Sequence, residues 1–343
     1  MNLYGDLQPR SAGFLVAKFL KRAQPMLNIE KFGQAPTSIP GRSTKVAKYR
    51  RYFLQGATGG AGDGNPANAF SNVLSLTPLT EGVTPAGKRL AFQDYNATLT
   101  QLGDWIPLTD VVDLVHEDDI LSQMIEILAE SAAQTIETFR YNILKAGTNV
   151  VYANGVSRAA VNTAITLDIQ RTVTTALLAQ NAKPISRYIP SSTNYRTEPV
   201  EAAFIALVHP HMVTDIRKMS GFIPTKQYGT VTPYENEIGA VEDVRYITST
   251  IYAPFADAGG AKGAMRSTSG VSADVYPVLI LGMDAYGLVN LKGANAITPM
   301  VVNPKPAAGD PLGQRGSVGW KTMTTAIILQ DTAMCRLEVA VTA

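Results

Sequence analysis

The stretch EDDILSQMIEILAESAAQTIETFRYNILKAG, residues 117–147, decides the fold. Its apolar residues Leu121, Ile125, Leu128, Ala132, Ile136, Phe139 and Ile143 recur at steps of four, three, four, four, three and four, which keeps them on one face of an α-helix. Glu117, Asp118 and Asp119 place negative charge at the positive end of the helix dipole, while Lys145 and Gly147 suit its C-terminal end. At about 29 residues and 1.5 Å of rise each, the helix spans about 43 Å, against a mean of about 11 to 12 residues for globular helices. A helix of that length is the backbone of a domain.

Upstream, KVAKYRRYF (residues 45–53) alternates Val46, Lys48, Arg50 and Tyr52 with Ala47, Tyr49, Arg51 and Phe53. Both faces mix charge with apolar atoms, which predicts an exposed ribbon. FQDYNATLTQLGDWIPLTDVV (92–112) supplies a second alternating run, with Tyr95, Ala97, Leu99 and Gln101 opposite Asn96, Thr98, Thr100 and Leu102. Between them lies LQGATGGAGDGNPANAF (54–70). A phosphate cradle needs glycines that feed a helix N-terminus, and no helix follows here; AGKRL (86–90) also lacks the upstream glycine and the hydroxyl residue of a P-loop. The pattern predicts a long two-stranded arm with Gly56, Gly59, Gly60, Gly62 and Gly64 giving backbone freedom at its tip. Ahead of it, residues 1–43 hold one short predicted helix, about Ala12 to Ala23, then Pro25, Pro36 and Pro40, and read as a further arm lying on something.

Downstream, a helix is predicted from Asp168 to Asn181, with Ile169, Val173, Leu177 and Gln180 on one side. The polar, Pro-bearing run Lys183 to Pro199 reads as a surface excursion. AAFIALV (202–208), VRYITSTIY (244–252) and VYPVLILG (275–282) read as buried strands, PHMVTDIRKM (210–219) as a helix opened by Pro210, and Ala256 to Ser272 as a loop. The closing GWKTMTTAIILQDTAMCRLEVAV (319–341) predicts two strands joined at Gln330 and Asp331 as an antiparallel hairpin. The fold class is α+β.

Chemistry is sparse. With one cysteine, Cys335, and three histidines, His116, His209 and His211, the 343-residue chain has no disulfide framework and no structural zinc set, and a reducing compartment fits. In HPH (209–211) the two rings are expected to diverge around Pro210, with no third ligand nearby. HEDD (116–119) is explained by helix-start electrostatics. No nucleophile elbow, metalloprotease helix or kinase set occurs, so no catalytic, cofactor or metal residue is assigned. The run AGFLVAKFL is broken by Lys18 and too short to span a bilayer. Residues 1–51 carry ten Lys or Arg and two acids, a charge of +8; with +2 overall, the remainder is −6. That asymmetry fits a polyanion or head-to-tail pairing of copies. Lys45, Lys48, Arg50 and Arg51 are accordingly the expected interface cations, with Glu117, Asp118 or Glu126 of a neighbouring copy as their acids.

Four stretches resemble one protein family: LVHPHMVTDIRKM (207–219), PYENEIGAVEDVRYITST (233–250), LILGMDAYGLVNLKG (279–293) and DPLGQRGSVGWKTMTTAIILQDTAMCRLEVAV (310–341). In order and spacing they are similar to the major capsid proteins of tailed phages, in the phage N-four-type branch of the Hong Kong 97-like (Johnson) fold. The resemblance implies an N-terminal arm (1–43), an extended loop (44–109), a peripheral domain with the spine helix and closing hairpin (110–155 and 300–343) and an axial domain (156–299). It implies a non-enzymatic shell subunit that self-assembles into hexamers and pentamers around double-stranded DNA. Portal, scaffold and decoration proteins would be further partners, there would be no membrane, and assembly would occur in the host cytoplasm before residence in the virion capsid. A nanocompartment (encapsulin-like) shell is the alternative on fold alone. An α+β enzyme with an unrecognised site, or a nucleic-acid module using the basic segment, stands behind it.

Overall fold

The computed structural model describes residues 26–39, 46–54, 79–84, 90–115, 120–188, 198–229, 232–291, 297–302, 304, 306 and 310–343. The helix about Ala12 to Ala23, Lys45, Glu117, Asp118 and the glycines of the arm tip (Gly56, Gly59, Gly60, Gly62 and Gly64) lie outside the described residues.

Three sheets and one long helix organise the described residues. The first sheet has five strands: β1 (Gln34–Ile39), β4 (Thr100–Thr109), β12 (Tyr286–Leu291), β13 (Ile297–Val302) and β14 (Arg315–Ile328). β14 is its axis, pairing with β4 along Arg315–Thr324 on one edge and with β13 and then β12 on the other. The second sheet runs β5 (Val150–Tyr152), β15 (Met334–Val339), β11 (Tyr276–Leu281), β7 (Glu198–Val208), β10 (Val244–Thr248), β9 (Glu237–Val241) and β8 (Phe222–Pro224), with β6 (Ile185–Tyr188) also on β7. The third is a two-stranded ribbon of β2 (Val46–Leu54) and β3 (Leu90–Thr98).

After the short helix α1 (Asp110–Val115), the predicted spine is α2 (Ile120–Leu144), 25 residues long. Its first half packs Ile125, Leu128, Ala129 and Ala132 on Val318 and Trp320 of β14. Its second half buries Tyr141 and Leu144 in the main core with β7, β10, β11 and β15. The buried stripe departs from the expected one towards the C-terminal end. Phe139 and Ile143 are half-buried, while Glu137, Arg140, Tyr141 and Leu144 point inward. A straight helix at 3.6 residues per turn drifts against a fixed three-four spacing, and polar partners across the helix reward that drift here. α3 (Leu167–Ala179) follows expectation, with the Thr166 hydroxyl accepting from Ile169 N–H and Gln170, Val173 and Leu177 buried. α4 (Val213–Arg217) is preceded by a 3₁₀ turn, Pro210–Met212, with Pro210 in its first turn.

Three further expectations are corrected. The closing strands are not a hairpin: β14 and β15 belong to different sheets, joined by the 3₁₀ turn Asp331–Ala333. A tight hairpin needs residues at positive φ, whereas Gln330 has φ −153°, and the turn redirects the chain to the second sheet. Within Lys183 to Pro199, β6 is a sheet strand with Ile185 buried. The rings of His209 and His211 do not diverge; they meet edge-on at 4.3 Å, with His209 Nδ1 accepting from His211 N–H and His211 Nδ1 2.9 Å from the Tyr276 hydroxyl.

Candidate assembly surface

The ribbon pairs in simple antiparallel register from Val46↔Thr98 to Leu54↔Leu90, so each face alternates along both strands. Its base is not the solvated surface the sequence suggested. Ala47, Tyr49, Ala97 and Leu99 are buried against Val289 and Leu329, and the Tyr49 hydroxyl donates to Leu288 C=O at 2.8 Å. Gly287 makes room for this: a Cβ there would lie 2.8 Å from Tyr49 Cζ.

Further out the ribbon leaves the body. Arg50 faces Asp94 across the strands and binds it bidentately, Nε to Oδ1 at 2.6 Å and Nη2 to Oδ2 at 2.8 Å. The hydrogen bonds to Asp94 raise the Arg50 pKa, and those from Arg50 lower that of Asp94, both at the surface. The Arg50 guanidinium also lies 4.2 Å over the Phe92 ring, and Phe92 sits opposite Tyr52 with centroids 6.3 Å apart. Tyr52 is 59% exposed and Phe92 56%, an aromatic pair that, among the described residues, is left largely open beyond the Arg50 guanidinium.

A second apolar face lies on the five-stranded sheet, opposite α2. Val318, Trp320 and Thr322 of β14 point inward, so Ser317, Gly319 and Lys321 point outward. Pairing then aligns Trp105, Gly319 and Met300 in one row and Pro107, Ser317 and Val302 in the next. Trp105 is 64% exposed and Val302 56%. A Cβ at Gly319 would meet Trp105 Cβ at 2.9 Å.

The expected interface residues are placed unevenly. Lys48 is exposed on the ribbon, Arg51 pairs with Gln93 through the backbone, and Glu126 is half-buried on α2. Arg50 finds its acid in the same ribbon, at Asp94, a partner that the reading of the charges missed because only the strand register sets the two side by side. Sequence reasoning also missed the buried ionic groups. Glu237 accepts from Arg245 Nε and Nη2 at 2.7 Å each, and Glu338 from Arg158 and Arg336; both acids are fully buried. Arg336 in addition donates to the carbonyls of Lys145 and Gly147, closing the C-terminal end of α2. Burial pushes the Cys335 thiol up to about 12. Among the described residues no group of three or more His, Cys, Asp and Glu is arranged to hold a metal ion, and no helix is long and apolar enough to cross a membrane.

A spine helix laid on a sheet, a mixed core sheet and a ribbon leaving the body together define the Hong Kong 97-like shell fold, and solved structures agree. The capsid of Ralstonia phage GP4 matches with a TM-score of 0.63 at 12% identity, covering 90% of this chain and 86% of that one. The head of Helicobacter pylori bacteriophage KHP40 matches with 0.58 at 13% identity, over 91% and 88%. The encapsulin SrpI of Synechococcus elongatus matches with 0.52 at 12%, over 93% and 89%. Such identities establish fold alone. No curated protein matches the sequence. The family described as phage capsid protein matches residues 92–336, well over half of the chain. The chain belongs to that family: it is a tailed-phage major capsid protein, a structural subunit of the head shell.

Proposed function

We propose that each copy grips its neighbour through the β2–β3 ribbon and that copies gather into hexamers and pentamers enclosing double-stranded DNA without sequence specificity. The observation that carries this is the division of the ribbon into a buried base at Ala47, Tyr49 and Ala97 and an uncovered outer part at Arg50, Tyr52 and Phe92. An anchored base transmits load, while uncovered aromatics supply the contact. The apolar rows at Trp105, Met300 and Val302 are the complementary face on the neighbour. On this reading residues 44–109 are the extended loop with the glycine-rich tip, 1–43 the N-terminal arm, 110–155 with 300–343 the peripheral region, and 156–299 the axial region. The stretches at 207–219, 233–250, 279–293 and 310–341 support the N-four-type branch.

The subunit acts by association without catalysis. Several neighbours, each with an interface on the order of 1,600 Å², make individually modest contacts into a shell that stays closed. Lys45, Lys48 and Arg51 remain candidates to meet Glu117, Asp118 or Glu126 of a neighbour. The acidic remainder of the chain, −6 beyond residue 51, suits DNA that slides as it is packed. Assembly in the host cytoplasm, with portal, scaffold and decoration proteins as partners, completes the proposal. The test is negative-stain microscopy with sedimentation of the purified chain. Closed shells, rings of six or five, or tubes support it, and a chain that stays monomeric at every salt concentration and with head extract added overturns it. Particles from infected cells that hold a packaged enzyme in place of DNA would favour the encapsulin-like reading.

A further inference from the structure

The segment Asn28–Phe32 is held to the body at each residue. Asn28 N–H and Ile29 N–H both donate to Glu137 Oε1 of α2, at 3.2 and 3.0 Å. Ile29 C=O accepts from the Tyr286 hydroxyl of β12 at 2.6 Å. Glu30 pairs with Arg140 of α2 at 3.0 Å, and Lys31 pairs with Glu235. Ile29 and Phe32 are buried in the main core. This strap is the point at which residues 1–25, rich in Lys and Arg, join the described body.

The Glu137 carboxyl is the centre of the grip. It is fully buried and joins three elements, since Oε1 accepts a third hydrogen bond from the Tyr252 hydroxyl at 3.0 Å. Oε2 is equally buried and has no partner among the described residues. An ionised carboxylate wants acceptor bonds on both oxygens, and one left bare in the interior is costly. A proton on Oε2 removes the buried charge, the larger part of that cost, while leaving the three bonds to Oε1 in place. The charged and titratable groups facing it are Arg140 on its own helix, Glu30 and Lys31 on the strap, Glu235 beyond Lys31, Tyr252 after β10, and Tyr286 on β12. Arg140 favours the charged form, but its guanidinium is shared with Glu30, Asn290 and Thr324.

We propose that Glu137 is a proton-operated clasp: protonated, it holds the strap on the spine helix, and ionised, it loosens the strap and with it the attachment of the leading segment. Desolvation is the largest influence on the group and lifts its pKa from 4.5 to about 7, against the opposing hydrogen bonds and Arg140. When the strap lifts, water reaches the carboxyl and its pKa falls back towards 4.5. The closed state therefore binds the proton more tightly. Its advantage is fully present below pH 4.5, is lost progressively as pH rises towards 7, and is gone above it. Between those limits the opening equilibrium rises tenfold per pH unit, and the ratio of the two acid constants, ten to the power 7 minus 4.5, caps the change at about 300-fold. The inference concerns the strap alone and stands independently of how copies associate.

The test is hydrogen–deuterium exchange on the full chain, reading peptides that span residues 27–33 from pH 5 to 8 after correction for intrinsic exchange. Wild type is expected to lose protection by one to two orders of magnitude up to about pH 7 and then level off. Glu137→Gln, which keeps the acceptor and removes the titration, is expected to show a flat profile. Tyr252→Phe, which removes one donor to the ionised form, is expected to move the levelling point to higher pH. Protection in wild type that does not change with pH, or a Glu137→Gln profile with the wild-type slope, overturns the proposal. Should Glu137→Gln fail to fold, Tyr252→Phe decides alone: an unmoved levelling point refutes the clasp.

Discussion

Replacing Tyr52 and Phe92 together by serine should raise the concentration at which the subunit assembles, without unfolding it. Tyrosine and phenylalanine side chains each bury about 150–250 Å² when fully covered. With 59% and 56% of these two still exposed, the pair offers roughly 200 Å² to a neighbour. At about 25 cal/mol per Å² that is about 5 kcal/mol of transfer free energy. The ordering of side chains and the desolvation of nearby polar groups leave about half, 2–3 kcal/mol per ribbon contact. Each contact then weakens by roughly 30- to 150-fold, and on the proposed ribbon grip a closed shell multiplies the effect, each subunit giving and receiving one ribbon. The assay is sedimentation of assembled material against total protein concentration, with circular dichroism of the unassembled fraction to show that the fold persists. The leucine pair Tyr52→Leu with Phe92→Leu, which keeps apolar area, should fall close to wild type. An assembly threshold that does not move in the serine pair, with the subunit folded, would refute the assignment of the ribbon as the gripping element.

Other outcomes follow from the interior. Arg245→Met strands the fully buried Glu237 carboxylate and should cost about 3–5 kcal/mol in denaturant unfolding, whereas Tyr228→Phe, which removes one hydroxyl from the same carboxylate, should cost only about 1 kcal/mol; equal losses would argue against the pair as the centre of that network. Gly287→Ala places a Cβ 2.8 Å from the Tyr49 ring, so the ribbon base should lift and proteolysis between residues 46 and 98 should quicken, and an unchanged digestion pattern would contradict the packing. Cys335 is 1% exposed, with its thiol pushed up to about 12, so native protein at pH 8 should resist disulfide reagents until denatured; rapid native labelling would show that β15 is not buried as described.

The legible part of this protein is the part governed by local periodicity. A three-four spacing of apolar residues announced α2, and period-two alternation announced β2 and β3, because helix and strand pitch alone decide which side chains share a face, while continuous apolar runs announced the buried β10 and β11. The α+β class followed from their order. The family likeness came from particular stretches, and the match over residues 92–336 agrees with it. What periodicity could not supply was pairing. β14 and β15 are separated by only five residues, yet one is the axis of the five-stranded sheet and the other lies between β5 and β11. Two apolar strands joined by a short turn look the same whether they pair with each other or with distant segments.

The same limit hid the polar interior. Local periodicity marks neither Glu137 nor Arg140, and only the arrival of Asn28, Ile29 and Tyr252, each more than a hundred residues away from Glu137, turns that helix face into a site for a buried carboxylate. Arg50 likewise looked available to a neighbour until the ribbon register set Asp94 beside it. By itself the sequence determined the most strongly periodic helix and strand segments and where charge and glycine concentrate, since those properties belong to the residues and their immediate neighbours. Tertiary structure alone decided which strands pair, which charges are already satisfied and which are buried, because each depends on groups brought together across long stretches of chain, and the free energy of a buried charge is fixed by what surrounds it.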